Sequence, residues 1–406
     1  MLYTTKQNHL ILVMSLLVVK FGGTSLETID KIKNAAKIVH RKKSEGHKIV
    51  VVVSAMAGST NKIISMCRDV SCMDNNHKLQ EYDVALSTGE TLSASLFAIA
   101  LQDLGEKSIS MQAWQVKIKS TNSYSRALIE NIEQNSIMHQ VDEGIIPVIT
   151  GFQGYNSLGR ITTIGRGGSD TTAAAIAAAI NADFCDIYTD VEGLYTIDPR
   201  LLDSAKPIPL ISYEEVLELA GMGAKVLHPR CVEICRKFNI KLRIFSTFTE
   251  KSGTIVMNHV NETNKITGIS YLKNLTLYNL ITEKDNIEYL VDALVNNSIN
   301  IFHILGTSYN KIRLAISGEY INFMDNLTNK LPLKSDKQDN IGCINVVGVS
   351  IRHDIKILLE IIKILKENDI NIIDISNSEI SISIFINENG IEYAAKLLHE
   401  KFISHE

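Results

Sequence analysis

The sequence predicts an α/β protein: a mostly parallel, doubly wound sheet, followed by two smaller ferredoxin-like α+β units. Three observations carry this. Residues 16–19 and 49–53 are unbroken apolar runs, each ending in a Gly/Ser turn and then a helical pattern, as parallel strands buried on both faces do. Residues 173–180 form an alanine-rich helix behind a glycine-rich turn at 165–172. Beyond about Asn264 glycines thin out, and a strand–helix–strand–strand–helix pattern occurs twice, a repeat of roughly 70 residues.

Composition narrows the function. A chain of 406 residues calls for more than one domain. With 45% hydrophobic and 21% charged residues it reads as a soluble globular protein. A net charge of −4 argues against nucleic acid or a membrane surface as partner. The six cysteines show no CxxC spacing. They are expected to be reduced core thiols in a cytoplasmic protein. The only long apolar run, 10–19, is too short to span a bilayer and lacks a small-residue cleavage site; Met14 is a second candidate start.

In order, the strand at 16–19 runs into Lys20-Phe21-Gly22-Gly23-Thr24-Ser25. A helix is expected over 28–45, with Ile29, Ile32, Ala36 and Val39 on one face. The strand at 49–53 leads through Ser54, Gly58 and Thr60 into another helix. The turn at Lys20 is not a Walker A loop, because the lysine precedes the glycines. Its glycine N–H groups, two hydroxyls and ammonium can still hold a polyphosphate; the plainer alternative is a surface lysine beside a helix cap. Residues 72–78 read as a loop, and 86–90 as the opening of a helix carrying Leu92, Ala94, Leu96, Phe97 and Ala100. Glu90 either favours that helix N-terminus or holds a substrate ammonium. A strand at 145–152 and a loop at 151–159 precede the glycine-rich turn. There Ser169 or Asp170 is a natural N-cap, and Arg166 offers a bidentate fork for a carboxylate or phosphate; a tight loop before a core helix is the plainer alternative. A strand at 186–190 leads into the irregular segment 191–200. In it Tyr195 faces a base or ribose and Arg200 a phosphate, or both are exposed ends of a turn.

Lys20 to Ser25, Ser87-Thr88-Gly89-Glu90, Gly165 to Asp170, Thr189-Asp190 to Arg200, and Gly223-Ala224-Lys225-Val226-Leu227-His228-Pro229 occur in this order. Together they resemble aspartokinases, members of the amino-acid kinase superfamily, over nearly the whole chain. The resemblance implies a three-layer αβα amino-acid kinase fold over 14–262 and paired ACT units over 266–337 and 340–406. It implies transfer of the ATP γ-phosphoryl group to the β-carboxylate of L-aspartate, the first step of lysine, threonine and methionine biosynthesis, with Mg²⁺. A carboxylate nucleophile is already ionised at neutral pH, so no general base is needed. The work is to bring two anions together and neutralise charge.

Carried over by the resemblance, Lys20 bridges the attacking carboxylate and the phosphates, and Asp170 is catalytic beside it. Gly22, Gly23, Thr24 and Ser25 line the phosphate path. Ser54, Thr60, Gly167 and Ser169 seat aspartate, Arg166 clamps its α-carboxylate, and Glu90 and Asp170 face its ammonium. Thr189, Asp190, Tyr195, Asp198 and Arg200 form the nucleotide site, with Lys225 and Val226 near the phosphates. Phosphate oxygens and water supply most Mg²⁺ ligands, and no residue is assigned as a metal ligand. The ACT pair implies lysine or threonine as effector, with contacts at Asn371, Ile372, Ser378 and Glu379, and a homodimer or larger homo-oligomer; a purely structural or dimerising use is the alternative. The usual Pro-Gly-like turn is replaced by Thr282-Glu283-Lys284-Asp285 and Arg352-His353-Asp354. Another kinase of the superfamily and a catalytically silent amino-acid sensor remain alternatives; Lys20, Arg166, Asp170 and Lys225 all being present opposes the second. With no homoserine-dehydrogenase extension after Glu406, a monofunctional enzyme is expected.

Overall fold

The computed structural model describes residues 14–221, 227–249, 253–258, 266–281, 284–297, 299, 301–308, 311–330, 334–349 and 351–403. The chain divides into two compact units. The first contains residues 1–194, 209–213 and 226–260; the second contains 195–208, 214–225 and 261–406.

The first unit is built on an eight-stranded sheet. Its strand order is Leu210–Ser212, Thr254–Met257, Lys241–Ser246, Phe184–Thr189, Leu16–Phe21, Lys48–Val53, Ile146–Thr150, Ser108–Met111. All neighbours are parallel except Lys241–Ser246 with Thr254–Met257. Leu17 to Phe21 and Ile49 to Val53 are buried at every position, so both faces of the sheet are covered. On one face Leu17, Val19, Val51 and Val53 pack with Ile32, Ala36, Val39, Ala94 and Phe97 from the helices Ile29–Ser44 and Asn76–Asp103. The alanine-rich helix, Gly168–Ala179, packs against the central strands. Alanine lets it approach closely.

Several local expectations change. Ile29 and Leu92, expected among the apolar positions of their helices, are half exposed. Residues 86–90 do not open a helix; they lie inside the 28-residue helix Asn76–Asp103. Its true start is capped by Asn75, whose Oδ1 accepts from the Lys78 N–H at 3.1 Å, so the expected loop at 72–78 ends early. This helix is long and apolar enough to cross a membrane by length and composition. Its inward face carries Asp83, Ser87, Glu90 and Ser93, all buried in protein. Neither Ser169 nor Asp170 caps Gly168–Ala179; the N-cap is Gly167, at φ +64°. Four cysteines are core thiols as expected, but Cys67 is half-buried and Cys72 exposed.

The second unit holds a six-stranded antiparallel sheet in the order Ile301–Ser308, Lys311–Ser317, Gly268–Ile281, Lys334–Val347, Ser381–Asn387, Ile372–Asn377. Both central strands are 14 residues long, and each serves both repeats. Leu275 to Ile281 pair within the first repeat, while Gly268 to Leu272 pair with Val347 to Cys343 of the second. Each repeat is thus completed by a strand half from outside its own count. The other half, Lys334 to Asn340, is polar and exposed at every position, which hid it from an apolar-pattern reading. It crosses the expected boundary between 337 and 340. Residues 195–208 also belong to this unit. Ile197 lies in its core, the Ile269 N–H donates to the Thr196 carbonyl at 2.7 Å, and Thr196 Oγ1 lies 2.9 Å from His399 Nε2.

Candidate active site

The central strands end together. Beyond them the Gly22 N–H donates to the Tyr188 carbonyl at 3.0 Å, the Ser54 N–H to Phe21 at 3.1 Å, and the Gly151 N–H to Val53 at 2.9 Å. The turns after the strands are thereby tied at the carboxyl edge of the sheet, where doubly wound folds bind ligands. A Cβ on Gly23 would sit 2.9 Å from the Ala55 carbonyl oxygen, so two turns approach as only glycine allows. Gly167 is equally constrained: its φ is positive, and a Cβ there would collide with the His228 ring.

A cavity of about 490 Å³ opens at this edge. Lys20, Ser54, Thr60, Glu90, Arg166, Gly167, Ser169 and Asp170 all line it. The structure therefore brings together the whole set expected to catalyse or to seat aspartate. Lys20, at the end of the first strand, is buried and ion-paired with Asp170 in the first turn of Gly168–Ala179. Arg166 is exposed at the rim. Glu90 is 3% exposed; its Oε1 accepts from the Ala55 N–H at 3.1 Å, and its Oε2 is buried with no hydrogen-bond partner. Burial raises its carboxyl to about 7, against a smaller opposing pull from the Ala55 N–H. A buried acceptor left unpaired costs free energy, and an ammonium would satisfy it. A larger cavity, about 740 Å³, lies along Ala175, Ala178 and Phe238 and contains none of these groups.

The expected phosphate-side residues are placed differently. Gly22 and Gly23 form the first turn, with Thr24 exposed. The Ser25 hydroxyl is buried and bonded to Thr247 Oγ1 at 2.6 Å, and Thr247 donates to the Thr189 carbonyl at 3.2 Å. Ser25 thus ties the first turn to Thr189 through Thr247, a residue the sequence reading missed. Thr189 Oγ1 donates to Asp190 Oδ1 at 3.0 Å. Tyr195, Asp198 and Arg200 lie in the second unit. There the exposed Arg200 donates to its own neighbour Asp198, at 3.0 and 2.7 Å, which holds the Asp198 carboxyl below its ordinary range. Lys225 and Val226 fall outside the described residues. Ser125, Phe152 and Thr163 also line the cavity, unforeseen because they sit on segments distant in sequence.

Among the described residues no group of three His, Cys, Asp or Glu side chains is placed to hold a metal ion. In the second unit Asn371 and Ile372 stand at one end of the strand Ile372–Asn377 and Ser378 and Glu379 at the other, roughly 20 Å apart by strand rise. They do not meet. Ser378 is engaged in its own hairpin, bonding Ser381 Oγ at 2.8 Å.

A doubly wound sheet with a lysine, an arginine and two acids around one cavity at its carboxyl edge suits an anionic substrate, and the family match identifies the class as an amino-acid kinase. A model of the amino acid kinase family matches residues 15–246, and an ACT domain model matches 336–400. The chain is 39% identical to the aspartokinase of Rickettsia felis over 407 residues, covering 96% of this chain and 99% of that one. The crystal structure of E. coli aspartokinase III in complex with aspartate and ADP (R-state) matches with a TM-score of 0.82 at 23% identity, covering 95% and 99% of the two chains. The same enzyme with lysine and aspartate (T-state) matches at 0.76 and 22% identity, covering 96% and 99%. The chain belongs to the aspartokinase family.

Proposed function

We propose that the first unit transfers the γ-phosphoryl group of ATP to the β-carboxylate of L-aspartate, giving 4-phospho-L-aspartate and ADP. A carboxylate oxygen bonds to γ-phosphorus as the bond to the β,γ-bridging oxygen breaks, and no proton moves. The observation that carries this reading is the orphaned Glu90 oxygen in a cavity that also holds Arg166 and the Lys20–Asp170 pair. That arrangement offers an acid for the substrate ammonium, a fork for its α-carboxylate and a buried ammonium for the reacting anions. Asp170 orients Lys20. A Mg²⁺ arriving with the nucleotide would supply further charge neutralisation. Gly22, Gly23 and Thr24, with Thr189, Asp190, Tyr195, Asp198, Arg200, Lys225 and Val226, are proposed for the nucleotide.

Two measurements test this. With ATP and a panel of amino acids, nucleotides and carbamate, hydroxylamine should trap an acyl phosphate from aspartate alone. Lys20→Ala should lose roughly 1000-fold or more in turnover while keeping its circular dichroism; turnover near wild type contradicts the assignment.

We also propose that the second unit binds lysine or threonine and pairs with a second copy. Its support is the ACT match and the lysine complex of the E. coli enzyme. Activity titration with each amino acid, alone and together, decides it, and a flat response removes the regulatory role.

A further inference from the structure

A second buried acid on the helix Asn76–Asp103 faces the wall of the same cavity. Asp83 is 0% exposed, and no lysine or arginine pairs with it among the described residues. Its charge is carried by four neutral contacts. The Ser125 N–H reaches Oδ1 at 3.1 Å and Oδ2 at 2.9 Å, the Thr163 N–H reaches Oδ2 at 2.8 Å, and Thr163 Oγ1 reaches Oδ1 at 2.8 Å. Ser125 sits at φ +61°, a left-handed conformation that costs a non-glycine residue free energy unless its surroundings enforce it. The bifurcated bond to Asp83 supplies that enforcement. The Ser125 carbonyl abuts Gly165, where an added Cβ would lie 3.3 Å away, and Gly165 is itself at φ +81°. Thr163 ends the strand Ile161–Thr163, three residues before Arg166. Ser125 and Thr163 both line the cavity.

We infer that Asp83 is a positioning residue for the amino-acid substrate. Its carboxylate holds the Ser125 turn and the end of the Ile161–Thr163 strand, and so fixes the Gly165–Arg166 turn across the cavity from Glu90. This rests on the reading of that cavity as the aspartate seat. A carboxylate is required because both oxygens face only donors, three groups making the four contacts, and an amide would turn two hydrogens towards them.

Steady-state kinetics of the full chain test this. Asp83→Asn should raise the aspartate KM roughly tenfold, while kcat and the ATP KM stay within about twofold. Thr163→Val removes one of the three donor groups and should raise the aspartate KM about threefold, leaving the ATP KM unchanged. An unchanged aspartate KM in folded Asp83→Asn overturns the inference, and so does an equal change in both KM values and kcat, which marks general loosening. If Asp83→Asn does not fold, Thr163→Val decides alone, on the same criterion. Arg166→Lys, run alongside, separates two failures. An aspartate KM unmoved in all variants removes the aspartate seat and this role with it; one raised in Arg166→Lys alone removes only the role of Asp83.

Discussion

Asp83 and Glu90 stand seven residues apart on one helix, both turned inward and both almost fully removed from water, yet their surroundings are opposites. Around Asp83 the chain closes completely, with a donor at every approach. Around Glu90 it supplies one N–H and then stops, leaving the buried Oε2 with no hydrogen-bond partner among the described residues in a side chain that lines the cavity. Burial pushes both carboxyls up, and at Asp83 the donors pull back. The contrast separates an acid satisfied by the scaffold from one that the proposed function completes with a substrate ammonium.

The contrast breaks most visibly in stability. Asp83→Ala leaves three buried donor groups unmatched and should cost about 3–4 kcal/mol in urea unfolding. Glu90→Gln should do the reverse in the absence of substrate. The folded carboxyl of Glu90 titrates at about 7 against an ordinary 4.5. Its stabilising contribution is therefore full below pH 4.5 and is lost as pH rises through 7, where the buried charge forms. At pH 8 Glu90→Gln should be more stable than the parent by roughly 2–3 kcal/mol, and the difference should vanish at pH 4. A variant whose stability relative to the parent is no greater at pH 8 than at pH 4 would show that the Glu90 carboxyl is not desolvated.

With substrate the ranking inverts. Glu90→Gln should raise the aspartate KM about 100-fold, the worth of one buried charge-assisted bond, against the smaller effect at Asp83. The pH dependence sharpens this further. Since kcat/KM reports groups of the free enzyme, its aspartate profile should climb about tenfold from pH 6 to a plateau above 7 in the parent and stay flat in Glu90→Gln. A parent profile flat over that range would place the ammonium elsewhere. The smallest effect is expected at the rim: Arg166→Lys should raise the aspartate KM about threefold to tenfold, because the exposed fork is lost while the charge remains.

Much of this was legible in the chain. The β-branched run at 49–53, the glycine turns and the alanine helix placed Lys20, Ser54, Arg166 and Asp170 on the right elements, because those signals are local. Asp83 was not legible. Its meaning comes from Ser125, 42 positions on, and Thr163, 80 positions on, and no periodicity links them. The same holds for Ser25 and Thr247, 222 positions apart. The helix start at Asn76 was masked by a polar first turn, and the strand half at Lys334 by a run of exposed polar side chains.

The long strands of the second unit have one more consequence. Leu275 and Ile341, where the first repeat begins and ends, are direct register partners, and just outside them Leu272 faces Cys343. One repeat is therefore nested within the other, entering and leaving by adjacent strands about 5 Å apart. A module inserted this way can be lifted out or replaced without stretching its host. A lineage, or an engineer, could exchange this nested module for another of the same topology by two cuts at a single place in the sheet.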